Sequence, residues 1–515
     1  MFMVSLNTTV IAPAMSIIAT DMDALAEQTW IATAYLLAFN SSQPLSGKFS
    51  DIFGRKPVLL FGIFTFFIGS IVNAVSPNID ALIAGRTVQG LGGGCIMSMA
   101  FIIIADMAPL HLRPRFQSLL IVVYGLASVV GPLVGGAFVD KVTWRWDFWL
   151  NVILGGVALI LVFFLLKETT KVENTSLRKK LQRIDWLGTI VVIGFICCLL
   201  LALNWGQSYG WKDAHALGPF IAAGVALILL IIIEGWIAPE PLLPRQVILD
   251  PGVFVIYLYI ACLGVAFIGT LYYGPILFQS VFGADSTNSG VRLIPYMVML
   301  IIASVSSGYV MNRFPYIKFY IVLAAVLNII GYGLFFTVNE NSTWAQQACY
   351  LMFCGFAFGL SQQNTMVGVQ SAAAPEFMAV ATALNNFFLM LGASVGVAVY
   401  ETLFSEFLQA QLKGVDAETL ALAQQYGATS NYLYIRNMPT ESQPPILHAY
   451  MEALHDVFIL PLGAAGICVI CACFMKNTRF GQSNAKAEKE AEEISKVESY
   501  QHDGTSEKYE NANSA

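Results

Sequence analysis

Gly47-Lys48-Phe49-Ser50-Asp51-Ile52-Phe53-Gly54-Arg55-Lys56-Pro57 interrupts two long apolar runs with a charged, glycine-bearing turn. A tight turn calls for glycine, and Asp51 among three cations is neutralised where both flanking helices leave the membrane. Outward from this turn the chain stays apolar. Of its 515 residues 57% are hydrophobic and only 12% charged, and the mean hydropathy is +0.67. A soluble domain carries about 25% charge. The chain therefore reads as an all-α polytopic membrane protein, and an ordinary soluble fold is excluded.

A helix needs about 20 apolar residues to cross the hydrocarbon core. Runs of that kind occupy 1–19, 28–50, 57–76, 80–107, 116–139, 147–167, 185–205, 215–238, 252–279, 289–311, 317–337, 344–370, 377–402 and 455–475, which predicts about 14 transmembrane helices. An even number places both termini on one side. Alternate loops on the side of Lys48, Arg55 and Lys56 carry fourteen Lys and Arg, the opposite loops six. The excess marks the first side, with both termini, as cytoplasmic. The basic stretch 168–184 reads as a cytoplasmic linker, and 476–515, rich in Glu, Lys, Ser and Asn, reads as a disordered tail. The segment 403–452 reads as a partly structured outer cap. No cleavable leader is expected, because an apolar helix starts at once without a basic n-region.

The halves echo each other. Gly308-Tyr-Val-Met-Asn312-Arg313 repeats the spacing of Gly47 and Asp51, and Gly392 to Gly396 echoes Pro132 to Gly136. Such symmetry fits two parallel six-helix bundles, 1–167 and 239–475, with two inserted helices at 185–238 between them.

No enzyme chemistry emerges. The nine cysteines all fall in apolar runs and the five histidines are scattered in loops and tail, so no metal site is expected. Gly90-Leu-Gly92-Gly93-Gly94 follows no strand and precedes no Lys-Ser/Thr, so ATP is not implicated. Neither a cofactor nor nucleic acid is expected.

Gly47, Asp51, Gly54, Arg55 and Lys56 match, residue for residue, the G-x-x-x-D-x-x-G-R-K signature of the major facilitator superfamily, which the chain resembles. Further on, Arg86-Thr-Val-Gln89-Gly90-Leu-Gly92 is similar to the R-x-x-Q-G-x-G of drug:proton antiporters. Gly125, Gly131, Pro132, Gly135 and Gly136 fall on the spacing of the antiporter glycine motif. Trp144-Arg145-Trp146-Asp147-Phe148-Trp149-Leu150-Asn151 resembles the W-R-W-x-F-x-x-N of the fourteen-span branch. The resemblance implies the major facilitator fold and proton-driven export of amphipathic drugs, toxins or secondary metabolites by a monomer in the plasma membrane. It gives the Asp51 turn a gating role, the fifth-span glycines a pivot, and Arg86 with Gln89 a part in proton coupling. Relatives begin with a cytosolic tail, so either the first helix is short or the true start lies upstream.

One departure bears on coupling. Where relatives carry an intramembrane acid in the first span, this chain has Leu6-Asn7-Thr8-Thr9, and Asn7 does not titrate. Among Asp106, Asp140, Glu234 and Glu401, Glu401 is the candidate carrier, placed in the outer part of the thirteenth span. Substrate contacts are expected from polar and aromatic residues on the inner spans: Asn7, Asn40, Gln43, Tyr272, Tyr273, Gln279, Gln362, Gln363 and Asn364. Two other functions stay open on the same motifs: a vacuolar exchanger of basic amino acids and a non-transporting nutrient sensor.

Overall fold

A computed structural model describes residues 1–11, 14–24, 27–109, 112–167, 176–238, 241–284, 286–429 and 432–477. Most of the expected tail and about half of the linker 168–184 lie outside these. Among the described residues the chain is helical throughout, with no strand.

The helices are α1 (Phe2–Val10), α2 (Gln28–Phe53), α3 (Arg55–Val75), α4 (Ile79–Met107), α5 (Arg113–Lys141), α6 (Arg145–Leu165), α7 (Trp186–Tyr209), α8 (Ala214–Ile232), α9 (Pro251–Ser280), α10 (Ile294–Val310), α11 (Ile317–Phe336), α12 (Trp344–Ala372), α13 (Met378–Leu412) and α14 (Ile459–Phe474). Polar residues mark where several begin, each accepting an otherwise unpaired backbone N–H. Asn78 takes that of Ala81, Asp185 that of Gly188, Asp213 that of His215, and Asp250 those of Gly252 and Val253. The His215 amide and ring hold the Asp213 carboxyl below the usual carboxylate range. Gly54 separates α2 from α3 at φ 100°, a left-handed conformation that glycine adopts without a Cβ clash.

Ten helices among the described residues are long and apolar enough to cross a membrane. They include α3, α4, α6 to α11 and α13. The shortfall from the expected fourteen has a physical cause in α2, α5 and α12. These helices, of 26, 29 and 29 residues, are long enough but more polar. Asn40, Gln43, Gln363 and Asn364 on α2 and α12 are fully buried, turned to protein rather than to lipid. The expected span 1–19 is interrupted: α1 stops at Val10 and a separate short helix runs Met15–Asp21.

The packing repeats itself. In the first six helices α1 lies on α5, α2 on α4, and α3 on both α4 and α6. In the last six α9 lies on α13, α10 on α12, and α11 on both α12 and α14. The two sets meet through α5 against α10 and α2 against α13. Helix α7 packs on α8 and touches α2 and α13, while α8 leaves Phe220, Ile221, Val225 and Ile228 exposed at the periphery. Exposed apolar faces of this extent suit a lipid environment.

Helix α13 continues to Leu412, ten residues past the end expected for its span. The chain beyond it folds into Ala417–Tyr426 and Gln443–Val457. Leu412, Ile435, Met438, Ile446 and Tyr450 give this cap an apolar core of its own.

Candidate functional site

Arg86 projects from α4 into the first six helices and is 1% exposed. A guanidinium so placed must be paired or hydrogen-bonded to remain there. Its Nε donates to the Ile31 carbonyl at 2.9 Å, and its Nη1 donates to Gln89 Oε1 at 2.9 Å and to Asn7 Oδ1 at 3.2 Å. The Tyr35 ring lies beneath it, 4.4 Å from Cζ to the ring centroid, and adds a cation–π contact. No carboxylate pairs with it among the described residues.

The network extends in two directions. Gln89 is one turn along from Arg86, on the same helix face. Its Nε2 donates to Ser70 Oγ at 2.8 Å, and its Oε1 also accepts from Asn73 Nδ2 at 3.0 Å. On the other side Asn151 Nδ2 donates to Asn7 Oδ1 at 3.3 Å and to the Asp147 carbonyl at 2.9 Å. Asn7 of α1, Gln89 of α4, and the Tyr35 ring and Ile31 carbonyl of α2 thus meet one buried guanidinium, with α3 joined to it through Gln89 and α6 through Asn7. Asn7, singled out as a departure, is the hinge of this network.

A second cluster closes the end that bears the charged turn. Arg55 Nη1 donates to Asp51 Oδ1 and Ser50 Oγ, and Nε to Asp106 Oδ2, each at 2.6 Å. The ends of α2, α3 and α4 are thereby tied together, and Asp106 proves to be part of the charged turn. Lys56 Nζ donates to the Phe163 carbonyl of α6 at 2.8 Å. Gly47 faces α13 across the junction of the two sets. A Cβ there would lie 3.0 Å from Val380 Cα and 3.1 Å from Ala383 Cβ, tighter than ordinary packing. At the same end Gln117 Nε2 donates to Gln370 Oε1 and Gln363 Nε2 to the Pro114 carbonyl, both at 2.7 Å. The two sets are in close contact at the Arg55 end.

The glycines of α5 divide by face. A Cβ on Gly131 would run into Thr9 and one on Gly135 into the Val10 carbonyl, so both mark close approach to α1. Gly125 faces Ile301 of α10, and Gly136 has no neighbour within 4 Å. Pro132 falls within α5, but its side chain is not among those described.

The remaining cavity candidates disperse. Asn40 is buried and donates to the Leu36 carbonyl and to Ser394 Oγ of α13. Gln43 is buried with neither side-chain polar atom partnered among the described residues. Tyr272 is exposed, whereas Tyr273 is buried with its ring 5.2 Å from that of Tyr400. Gln279 Nε2 donates to Ser289 Oγ, and Asn364 Nδ2 to the Leu360 carbonyl of its own helix. Gln362 is buried and Gln363 serves the junction just described. Glu401 is exposed on α13.

The Major Facilitator Superfamily model matches residues 1–397. The chain belongs to the major facilitator superfamily. Among curated members, an MFS-type transporter of Claviceps purpurea is 31% identical over 91% of this chain and 82% of its own length. The efflux pump roqT of Penicillium rubens is 32% identical over 91% of this chain and 87% of its own. A crystal structure of the human organic anion transporter MFSD10 (TETRAN) superposes with a TM-score of 0.56 at 15% identity, covering 90% of this chain and 96% of that one. Fold and family agree with the packing pattern. The chain is a multi-pass membrane transporter and not an enzyme.

In this facilitator the junction at Gly47 is open to test through a native thiol. Cys95 is buried in one cluster with Val58, Met99, Ala379 and Ala383. Gly47→Leu overpacks that contact, a strain of about 1–3 kcal/mol on the junction. With Cys95 kept as the only cysteine, its alkylation by a membrane-permeant maleimide is expected to rise at least tenfold in the Gly47→Leu variant, equivalent to about 1.4 kcal/mol.

Proposed function

We propose that the chain exports amphipathic small molecules, such as drugs, toxins or secondary metabolites, in exchange for protons by alternating access. The observation that carries the reading is the buried Arg86–Gln89–Asn7 network beside an α5 face whose glycines seat α1 closely. A guanidinium held by neutral acceptors responds to any charge that changes nearby. Relatives named efflux pumps support the direction of transport.

The moving bodies are the bundles 1–167 and 239–475, with α7 and α8 inserted between them. Rocking about α5–α10 and α2–α13 exposes a central site to either side in turn. The contacts around Gly47, Gln117 and Gln363 close the cytoplasmic side, and both termini lie on that side of the plasma membrane. The Arg55–Asp51–Asp106 tie keeps the ends of α2, α3 and α4 moving as one piece.

Inside-out vesicles from a host lacking its own pumps provide the test, with a panel of labelled amphipathic drugs and lysine, with and without an imposed proton gradient. Gradient-dependent drug uptake is expected. Uptake of lysine alone would assign the protein to amino-acid exchange instead.

A further inference from the structure

Asp147 lies in the first turn of α6, at the position the tryptophan motif leaves unspecified. Its side chain is fully buried, 0% exposed, and neither Oδ1 nor Oδ2 has a hydrogen-bond partner among the described residues. Nearly every buried polar atom in a folded protein is partnered, and a lone carboxylate away from water is among the costliest groups to leave alone. Its neighbours on the helix make the placement specific. Asn151, one turn on, is the residue that joins Asn7 and hence Arg86, and Asn151 Oδ1 is itself buried without a partner.

No charged group among the described residues is paired with it. On α6 the only other ionisable residue is Arg145, which donates to the Ser76 carbonyl and lies 3.6 Å from Asp21. Asp21 also accepts from Trp144 Nε1 at 3.0 Å. Helix α3, packed along α6, has charges only at Arg55 and Lys56, at the far end. Helix α1 has no ionisable side chain. On α5 the acids and bases near this end are Asp140, whose side chain is not described, and exposed Lys141. In contrast, Asp51 and Asp106 are both bound to Arg55.

We propose that Asp147 is the membrane-buried acid that takes up and releases the transported proton, and that its charge reaches Arg86 through Asn151 and Asn7. The inference rests on the proton-exchange reading above and deepens it: the acid absent from the first span is supplied by the sixth, against the same Asn7. Lys141 and Thr143, polar and exposed just before α6, put the end of the helix within about one turn of the carboxyl. When the proton binds Asp147 its charge is cancelled, and when it leaves on the other side the carboxylate returns. No bond other than O–H is made or broken.

The test uses the purified full-length protein in liposomes and three variants. Asp147→Asn keeps the shape and cannot titrate, Asp147→Glu keeps the acid, and Glu401→Gln removes the other candidate. Asp147→Asn is expected to lose gradient-driven transport at least tenfold while retaining substrate-for-substrate exchange, which needs no net proton movement. Asp147→Glu is expected to restore part of the driven flux, and Glu401→Gln to leave it within twofold. In infrared difference spectra recorded across pH without substrate, subtracting those of Asp147→Asn from those of the wild type is expected to leave a single titrating carboxylic-acid carbonyl band. Driven transport unchanged in Asp147→Asn, or a subtraction that leaves no such band, overturns the proposal. If the wild type itself transports nothing against a gradient, the export reading fails, while the infrared band still decides whether Asp147 binds a proton.

Discussion

Arg86→Ala is expected to abolish driven transport, by at least 100-fold, and to lower the stability of the first six helices. The substitution removes donors from the Ile31 carbonyl, Gln89 Oε1 and Asn7 Oδ1 and uncovers the Tyr35 ring. Each buried acceptor left without a donor costs about 1–3 kcal/mol. Gln89 and Asn7 keep contacts with Asn73 and Asn151, which softens the loss. A net penalty of about 2–4 kcal/mol is reasonable for a buried hydrogen-bonded charge site. Arg86→Lys separates the two effects. A lysine keeps the positive charge but offers a single point of donation in place of a planar fork. It is expected to recover most of the thermal stability and little of the driven flux. Unfolding of detergent-solubilised protein and flux in liposomes read the two quantities independently.

Gly135→Leu is the second large effect. Its Cβ would be driven into the Val10 carbonyl, backbone that cannot rotate aside, so α1 has to move from α5. Overpacking of a tight site costs about 1–3 kcal/mol, and here it also displaces Asn7, one turn from Val10, from Arg86. Loss of transport by more than tenfold and a lower unfolding temperature are expected together. The neighbouring glycine is the control. A Cβ on Gly136 meets nothing within 4 Å, and Gly136→Ala is expected to change stability by less than about 0.5 kcal/mol. Equal damage from the two substitutions would mean that the glycines act through helix flexibility rather than through the α1 contact.

Much of this was legible in the sequence because lipid imposes so narrow a choice of structure. Long apolar runs with charged or capped ends fix helices and their order, and Asp185, Asp213 and Asp250 sit where the caps do. Periodicity carries less information about depth and facing. Polar Gln363 and Asn40 look alike as cavity residues in the sequence, yet one spans the junction between α12 and α5 and the other bonds along its own helix and to α13. The stop of α1 at Val10 and the extension of α13 to Leu412 lie where a count of apolar runs gives no boundary. Asp147 escapes a motif-based reading because its position in W-R-W-x-F-x-x-N is a spacer. The usable signal was an acid one turn before Asn151 in a helix otherwise nearly free of charge.

The cap that follows α13 is itself ordered. Asp416 caps Ala417–Tyr426 by accepting the Thr419 amide, and that contact holds its carboxyl below the usual carboxylate range. Tyr450 Oη donates to the Ala428 carbonyl and fastens Gln443–Val457 to the end of Ala417–Tyr426 within the cap.

The proposed exchange requires substrate and protons to cross in opposite directions. The most direct measurement loads liposomes containing the purified protein with a pH-sensitive dye and follows dye and labelled substrate together after a pH step. Proton movement opposite to substrate, reversing when the gradient is reversed and absent in Arg86→Ala, is the expected result. Substrate flux that is indifferent to the gradient, with no accompanying proton movement, would contradict the account.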